Sequence, residues 1–433
     1  MAAAATTNRH TGGAGYAPLN PASLPAWLAT AGDSARLLGG KPETWRVREV
    51  GDGNLNLVFI VEGPEAGLVV KQALPYVRLV GESWPLPLDR AWYEYRALAT
   101  QTRFAPEFVP HLHHFDAERA AVVMEWLSPH IILRKGLIQG RRYPMVAEHL
   151  ASFMARTLFF SSDLGMAAAE KRALQGEFSH NIELCRITEE LIFTDPYRIA
   201  ELNRWTSPQL DDVARRFRED AELKVAIQEL KWGFLSNGQA LIHGDLHTGS
   251  VMVTEGDTRV IDPEFAFVGP IGFDVGAVLA NLFLACFAKA GHPGEADART
   301  AYEAWLLETA SRIWSGFEAR FLALWRTQNR GDAFTAELFE DEAASTALEA
   351  QRQATMRDLF ADSLGYAGAK MVRRILGLAH VEDLECIADA DLRATCERRA
   401  LAMGRTLITE RRRFGTIEEV LDLARSLRRE DRP

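Results

Sequence analysis

The sequence predicts an α+β fold in two lobes, a small β-rich one followed by a large, mostly helical one. Three observations predict it. Residues 45–126 hold five short segments rich in Val and Phe, separated by Gly, Asp or Glu turns. Beyond Pro129 the apolar residues recur at the helical period almost to the C-terminus. The length of 433 residues, 47% hydrophobic and 25% charged, is ordinary globular composition with room for two or three cores.

Residues 1–20, "MAAAATTNRHTGGAGYAPLN", contain no apolar run and predict a disordered tail rather than a signal peptide. "SLPAWLATAG" follows as a short helix, with Ser23 as N-cap and Pro25 just inside. The strands are "WRVREVG", "LVFIVEG", "GLVVKQA", "HLHHFD" and "AAVVMEW". One helical segment, Leu88 to Thr100, interrupts them, so the N-terminal lobe is a small antiparallel sheet with an inserted helix over 21–126. The helical lobe is 127–433, with clear periodicity near 146–164, 208–219, 221–236, 347–362 and 393–411. Val275 to Ala288 is apolar but interrupted by Asn281 and too short to span a bilayer, so it reads as a buried helix. Residues 241–262 break the helical pattern with a loop and a short hairpin.

A net charge of −10 argues against a dedicated nucleic-acid or anionic-membrane binder. Arg411, Arg412 and Arg413 lie among mixed charges and read as a solvated face. The four cysteines are scattered with no CxxC pair, which predicts a reduced, cytoplasmic chain.

The residues able to do chemistry cluster around "HGDLHTGSVMV" at 243–253. Seventeen residues after Asp245 comes "VIDPEF", with Asp262 and Glu264, and the hairpin between them would return the chain to its starting point. Carboxylates brought together are costly unless a cation neutralises them, and a few hard oxygen donors suit Mg²⁺ bridging a phosphate. Upstream, Lys71 sits in the Val-rich "GLVVKQA", an odd place for an unpaired ammonium; Glu94, on the following helix, is its candidate partner. The turn "VGDGNLN" offers Gly51, Gly53 and Asn54 for close backbone approach to a phosphate. His243 and His247 lack a third histidine nearby and are expected to orient the loop, with Asp274 a buried acceptor bracing it.

This order of strand Lys, helix Glu, Asp loop and Asp-x-Glu resembles the catalytic parts of kinases. In detail the sequence resembles the 5-methylthioribose kinase family of protein-kinase-like small-molecule kinases. The resemblance rests on "HGDLHTGS" with Ser250 five residues after Asp245, "DPE" followed by "FAFVGPIGFDVG", "DGNLN", "YVRLVGESWPLPLDRAWYE" and "KMVRRILGLAHVEDLE". It implies a two-lobed protein-kinase-like fold and phosphorylation of the anomeric hydroxyl of 5-methylthioribose by ATP and Mg²⁺, in a cytoplasmic homodimer. It also implies that Asn54, Lys71 with Glu94, and the linker Glu125-Trp126-Leu127 hold ATP. In the "DPE" triplet (Asp262, Pro263, Glu264), Asp262 and Glu264 would hold the metal. Asp245, Arg373, Arg374 and the Trp84 loop would engage the sugar. An aminoglycoside- or choline-type phosphotransferase on the same fold is the alternative, and an inactive kinase-like nucleotide-binding protein is the alternative of another class. The adjacent arginines point about 100° apart on a helix expected to start near Gly365, so only one is expected on the buried side.

Overall fold

A computed structural model describes residues 15–51, 55–77 and 81–429, with the side chains of 77, 81–84 and 429 outside the description. The chain divides into two compact units. The first comprises residues 1–129 with 181–184 and 259–266; the second holds 130–180, 185–258 and 267–433. The junction thus falls three residues beyond the expected 126, and the Asp262-Pro263-Glu264 segment belongs with the first unit rather than the helical one.

In the first unit all five expected strands form, in the antiparallel order Arg46–Glu49, Asn56–Glu62, Gly67–Ala73, Ala121–Glu125, Leu112–Asp116. Strand alternation gives the two faces different work. Leu68 and Val70, aligned with Val61 and Phe59, bury one face against Leu24, Leu28 and Leu38 of the two short N-terminal helices. Residues of the opposite parity, Lys71 and Ala73, take the other face, where Ala73 packs with Ala91 of the helix Arg90–Phe104. The chain is already anchored well before residue 20. Tyr16 donates its hydroxyl hydrogen to the Ala73 carbonyl at 2.9 Å, and the Leu19 amide donates to the Gln72 side chain at 2.7 Å. The tail expected over 1–20 is therefore ordered from residue 15; residues 1–14 lie outside the described residues.

The second unit is built around the helix Ile271–Ala288, whose every residue is buried. It satisfies the length and apolarity of a membrane span, but that surface is wholly covered by protein. It crosses the helix Glu342–Leu376, which begins 23 residues before the expected Gly365. The first turns of that helix are mostly exposed, and only from Leu359 on is it continuously covered; the periodic segment expected at 347–362 and the helix expected from Gly365 are parts of this one helix. The 32-residue helix Ala296–Thr327 was not among the expected segments. Arg411 is buried and paired with Glu229 at 2.9 Å, so only Arg412 and Arg413 of the expected solvated trio are exposed.

Gly276 sets the distance of that crossing. A Cβ there would lie 2.4 Å from the Ser363 carbonyl oxygen and 2.9 Å from the Ala367 amide nitrogen, both backbone atoms that cannot swing aside. Gly276→Val should therefore destabilise the protein by about 1–3 kcal/mol through overpacking. A lowered thermal midpoint by differential scanning calorimetry checks it; an unchanged midpoint would show that the two helices separate freely.

Candidate functional site

Each unit presents one set of charged side chains. In the first, the alternation that buries Leu68 and Val70 turns Lys71 toward the helix Arg90–Phe104. There Arg90 and Glu94, four residues apart, share a face. Lys71 Nζ lies 2.8 Å from Glu94 Oε2 and is also hydrogen-bonded to Asp262 Oδ1. Arg90, fully enclosed, approaches Glu264 Oε2 to 3.3 Å. Asn56 joins the two: its amide nitrogen donates to Glu264 Oε2 at 3.1 Å and its oxygen accepts from Arg90 at 3.2 Å. Asn181 donates to the carbonyls of Glu264 and Ala266 at 2.9 and 3.0 Å, fixing the backbone that follows Pro263. Asp262 is held at φ 70°, a left-handed conformation that Asp tolerates better than most residues and that carries a cost of order 1–3 kcal/mol.

Carboxylate oxygens of Glu94, Asp262 and Glu264 lie within 4.8 Å of one another. Burial raises the pKa of both Glu94 and Glu264, with Lys71 opposing it in each case. Burial would likewise discharge Lys71, but Asp262, Glu94 and Glu264 outweigh it and hold the ammonium protonated. The donor set consists of hard oxygens from three carboxyl groups beside Lys71 and Arg90, and burial draws two of them, Glu94 and Glu264, toward the protonated form that a bound cation would oppose. That fits a divalent cation such as Mg²⁺.

The members of the expected carboxylate trio, Asp245, Asp262 and Glu264, belong to both units. Asp262 and Glu264 fall in the first unit with Glu94 as their third member, and Asp245 falls in the second. Of the linker, Glu125 accepts from the His111 amide at 3.0 Å and from Arg259 at 3.4 Å, Trp126 lies against the Gly67 backbone, and Leu127 is buried. Asn54 lies outside the described residues. Trp84 falls in the strand Gly81–Pro85, and its side chain is outside the description.

In the second unit the loop after the strand Ala240–Ile242 carries Asp245. Gly244 turns the chain at φ 82°, where a Cβ would be strained. Asp274, on the first turn of the central helix, accepts from the amides of His243 and Gly244 at 2.6 and 3.0 Å. Ser250 donates its hydroxyl hydrogen to the Asp245 carbonyl at 3.1 Å, which closes the loop. His243 Nδ1 accepts from the Asp245 amide at 3.3 Å and His247 Nδ1 from the Gly249 amide at 2.9 Å. The proton of neutral His247 then resides on Nε2, 3.3 Å from Asp245 Oδ2. Burial pushes the His247 pKa down to about 3 despite Asp245, so this ring is neutral at physiological pH.

Asp245 Oδ1 accepts from Lys370 Nζ at 2.8 Å. Burial would raise the Asp245 pKa, but Lys370 and His247 overcome it and hold the carboxyl well below its ordinary value. With the folded pKa depressed, the stability this group contributes is intact at neutral pH and is lost progressively as the pH falls from the ordinary carboxylate range to that lowered value. Lys370, Arg373 and Arg374 occupy positions i, i+3 and i+4 of one helix. Both arginines are buried, against the expectation of one, because the end of this helix is enclosed on every side and not along an apolar stripe alone. Among the described residues, Arg373 Nε and Nη1 and Arg374 Nε have no hydrogen-bond partner. Arg134, 3.3 Å from Asp383, adds a fourth cation. Lys370, Arg134, Asn56, Arg90 and Asn181 were not singled out from the sequence; Lys370, Asn56 and Arg90 stand inside quoted motifs, whereas nothing in the residues around Asn181 signalled it.

A carboxylate cluster able to hold a metal-bound phosphate, and a loop carboxylate amid arginines, are the parts of a phosphotransferase. Residues 46–312 match the family described as "Phosphotransferase enzyme family", and the chain belongs to it. Methylthioribose kinase 2 of Oryza sativa subsp. japonica is 46% identical over 97% of this chain and 98% of that protein. The methylthioribose kinase of Escherichia coli O45:K1 (strain S88 / ExPEC) is 46% identical over 95% and 98%. Within the phosphotransferases, then, this chain is a member of the methylthioribose kinase family. A solved glucosamine kinase in complex with glucosamine, ADP and inorganic phosphate aligns with TM-score 0.46 and 15% identity, covering 89% of this chain and 86% of that one.

Asp274→Asn tests the bracing of the loop. One of its two accepting oxygens becomes an NH₂ facing a backbone N–H, which should cost about 1–3 kcal/mol. A displaced Asp245 should also lower kcat by on the order of 10–10², with the KM for ATP unchanged. Native kcat in a folded Asn variant would show that the brace does not set the loop.

Proposed function

We propose that the chain transfers the γ-phosphoryl group of ATP to the anomeric C1 hydroxyl of 5-methylthioribose, giving 5-methylthioribose 1-phosphate in methionine salvage, as a cytoplasmic homodimer. The names of the relatives and the residue order of the motifs support this reading. The single observation that carries it is the sign of charge around Asp245. Four buried or half-buried cations, Arg134, Lys370, Arg373 and Arg374, face three carboxylates, half-buried Asp245 and buried Asp274 and Asp383. Cationic acceptors such as choline or an aminoglycoside would be repelled there, whereas a neutral sugar that gains a phosphate is favoured.

Lys71, held by Glu94, would bind the α- and β-phosphates, with Asn54 and the Glu125-Trp126-Leu127 linker on the rest of the nucleotide. Asp262 and Glu264 would hold Mg²⁺ with Pro263 between them, and the bound metal would neutralise phosphate charge. Asp245 accepts a hydrogen bond from the C1 hydroxyl and aims its oxygen at phosphorus. The C1 oxygen–phosphorus bond forms as the bond from the γ-phosphorus to the β–γ bridging oxygen breaks. ADP leaves, and the hydroxyl proton passes to Asp245. So acidic a carboxyl is a weak base, which suits a loose transition state whose nucleophile needs orientation more than deprotonation. Arg373 and Arg374 offer their unpartnered nitrogens to the transferred group, as planar donors suited to phosphate oxygens. The Trp84 loop would cover the methylthio end.

Two measurements test the reading. In a panel of methylthioribose, ribose, choline and kanamycin with Mg-ATP, methylthioribose should exceed ribose in kcat/KM by roughly 10–200-fold, the worth of an apolar group in a fitted pocket. Equal turnover of choline or kanamycin would overturn the substrate. Asp245→Asn should lose at least ~10²-fold in turnover while calorimetry still records Mg-ATP binding. Near-native kcat in that variant would remove Asp245 from the reaction.

A further inference from the structure

Among the described residues, Lys370 is the one cation hydrogen-bonded to Asp245. Arg374 donates instead to the Ala379 carbonyl at 3.3 Å, and Arg373 Nε and Nη1 donate to none of the described residues. Lys370 is itself fixed from a second direction, its Nζ lying 4.6 Å from the centre of the Phe273 ring. Phe273 adjoins Asp274, whose carboxylate holds the backbone of His243 and Gly244. One turn of the central helix thus sets both the loop that carries Asp245 and the ammonium that grips it.

We propose that Lys370 is the positioning residue of the acceptor site. It clamps Asp245 Oδ1 so that the carboxylate stays ionised and aimed at the hydroxyl, and by satisfying that carboxylate it leaves the arginine donors free for the phosphoryl group. This rests on the reading above that Asp245 faces the acceptor hydroxyl. His247 cannot do the same work: it is a neutral donor at 3.3 Å, against a charge-assisted bond at 2.8 Å. Lys370 is buried, with Asp245, Asp274, Arg373 and Arg374 the charged groups acting on or beside it. Removing its charge leaves half-buried Asp245 with only a neutral imidazole bonded to its side chain and two arginines near it, and partial burial then favours the protonated acid.

The test is the pH profile of kcat/KM for the acceptor in wild type, Lys370→Met, Lys370→Gln and Lys370→Arg, at saturating Mg-ATP. In the Met variant the acid limb should move up by ~1–3 pH units, the usual effect of one close opposite charge on a carboxyl. Activity on the limb then falls about tenfold further for each unit moved. Lys370→Arg should keep the limb near its wild-type position, because the charge remains. Lys370→Gln keeps a donor of similar length without the charge; its limb should move while kcat above the limb falls less than in the Met variant. If the Met variant does not fold, the Gln variant carries the test. A limb that stays at the wild-type position in the neutral variants, or that moves as far in Lys370→Arg as in Lys370→Met, overturns the proposal. Wild-type turnover of methylthioribose judges the substrate separately, and if another sugar is preferred, the same profiles on that sugar judge Lys370.

Discussion

The chemistry of this protein depends on burying unbalanced charge without letting it neutralise itself. Glu94, Asp262 and Glu264 come within 4.8 Å of one another only because Lys71 and Arg90 are buried among them. A carboxylate isolated at such depth would take up a proton, and a protonated acid holds neither a lysine nor a metal. Asn56 contributes without charge, spanning Arg90 and Glu264 with the two ends of one amide, so that neither keeps all its polar atoms idle. Around Asp245 the balance is reversed, with cations in excess. The two units thus gather different charge, carboxyl groups around Lys71 and Arg90 in one and cations around Asp245 in the other.

Each arrangement is a consequence of a simple period. In the strand Gly67–Ala73, alternation buries Leu68 and Val70 in the apolar core and sends Lys71 to the opposite face, where the inserted helix presents Glu94. In the helix Glu342–Leu376, spacing of three and four gathers Lys370, Arg373 and Arg374 on one face. Close crossing of that helix with Ile271–Ala288 needs Gly276, and the same central helix supplies Phe273 and Asp274. Packing and chemistry are therefore not separable there: a side chain that widened the crossing would also move the ammonium holding Asp245.

Much of this could be read from the sequence. The five strands, the inserted helix, the Lys71–Glu94 pairing and the bracing role of Asp274 all follow from local pattern, because period, turn residues and a lone charge in an apolar run are local signals. Lys370 was passed over for the neighbouring arginines, since nothing in "GYAGAKMVRR" says which cation meets a carboxylate 125 residues away. Arg90 was not singled out, because its enclosure depends on Leu55, Asn56 and Glu264, which arrive from elsewhere in the chain. The expectation that one of Arg373 and Arg374 must be solvated failed for a related reason: an apolar stripe marks one contact of a helix, and this one is enclosed all round.

By itself, then, the sequence determined the order of elements, the polarity of their faces and the kinds of groups available for phosphoryl transfer. These depend on the chemistry of each residue and on spacing within a few turns. Tertiary structure decided which charges meet. It gave Asp262 and Glu264 to Glu94 and Lys71, gave Asp245 to Lys370, and left donors on Arg373 and Arg374 unpartnered. The physical reason is that an ion pair is worth forming in a protein interior only where packing removes water and holds both partners at hydrogen-bond distance, and that distance is set by segments far apart in the chain.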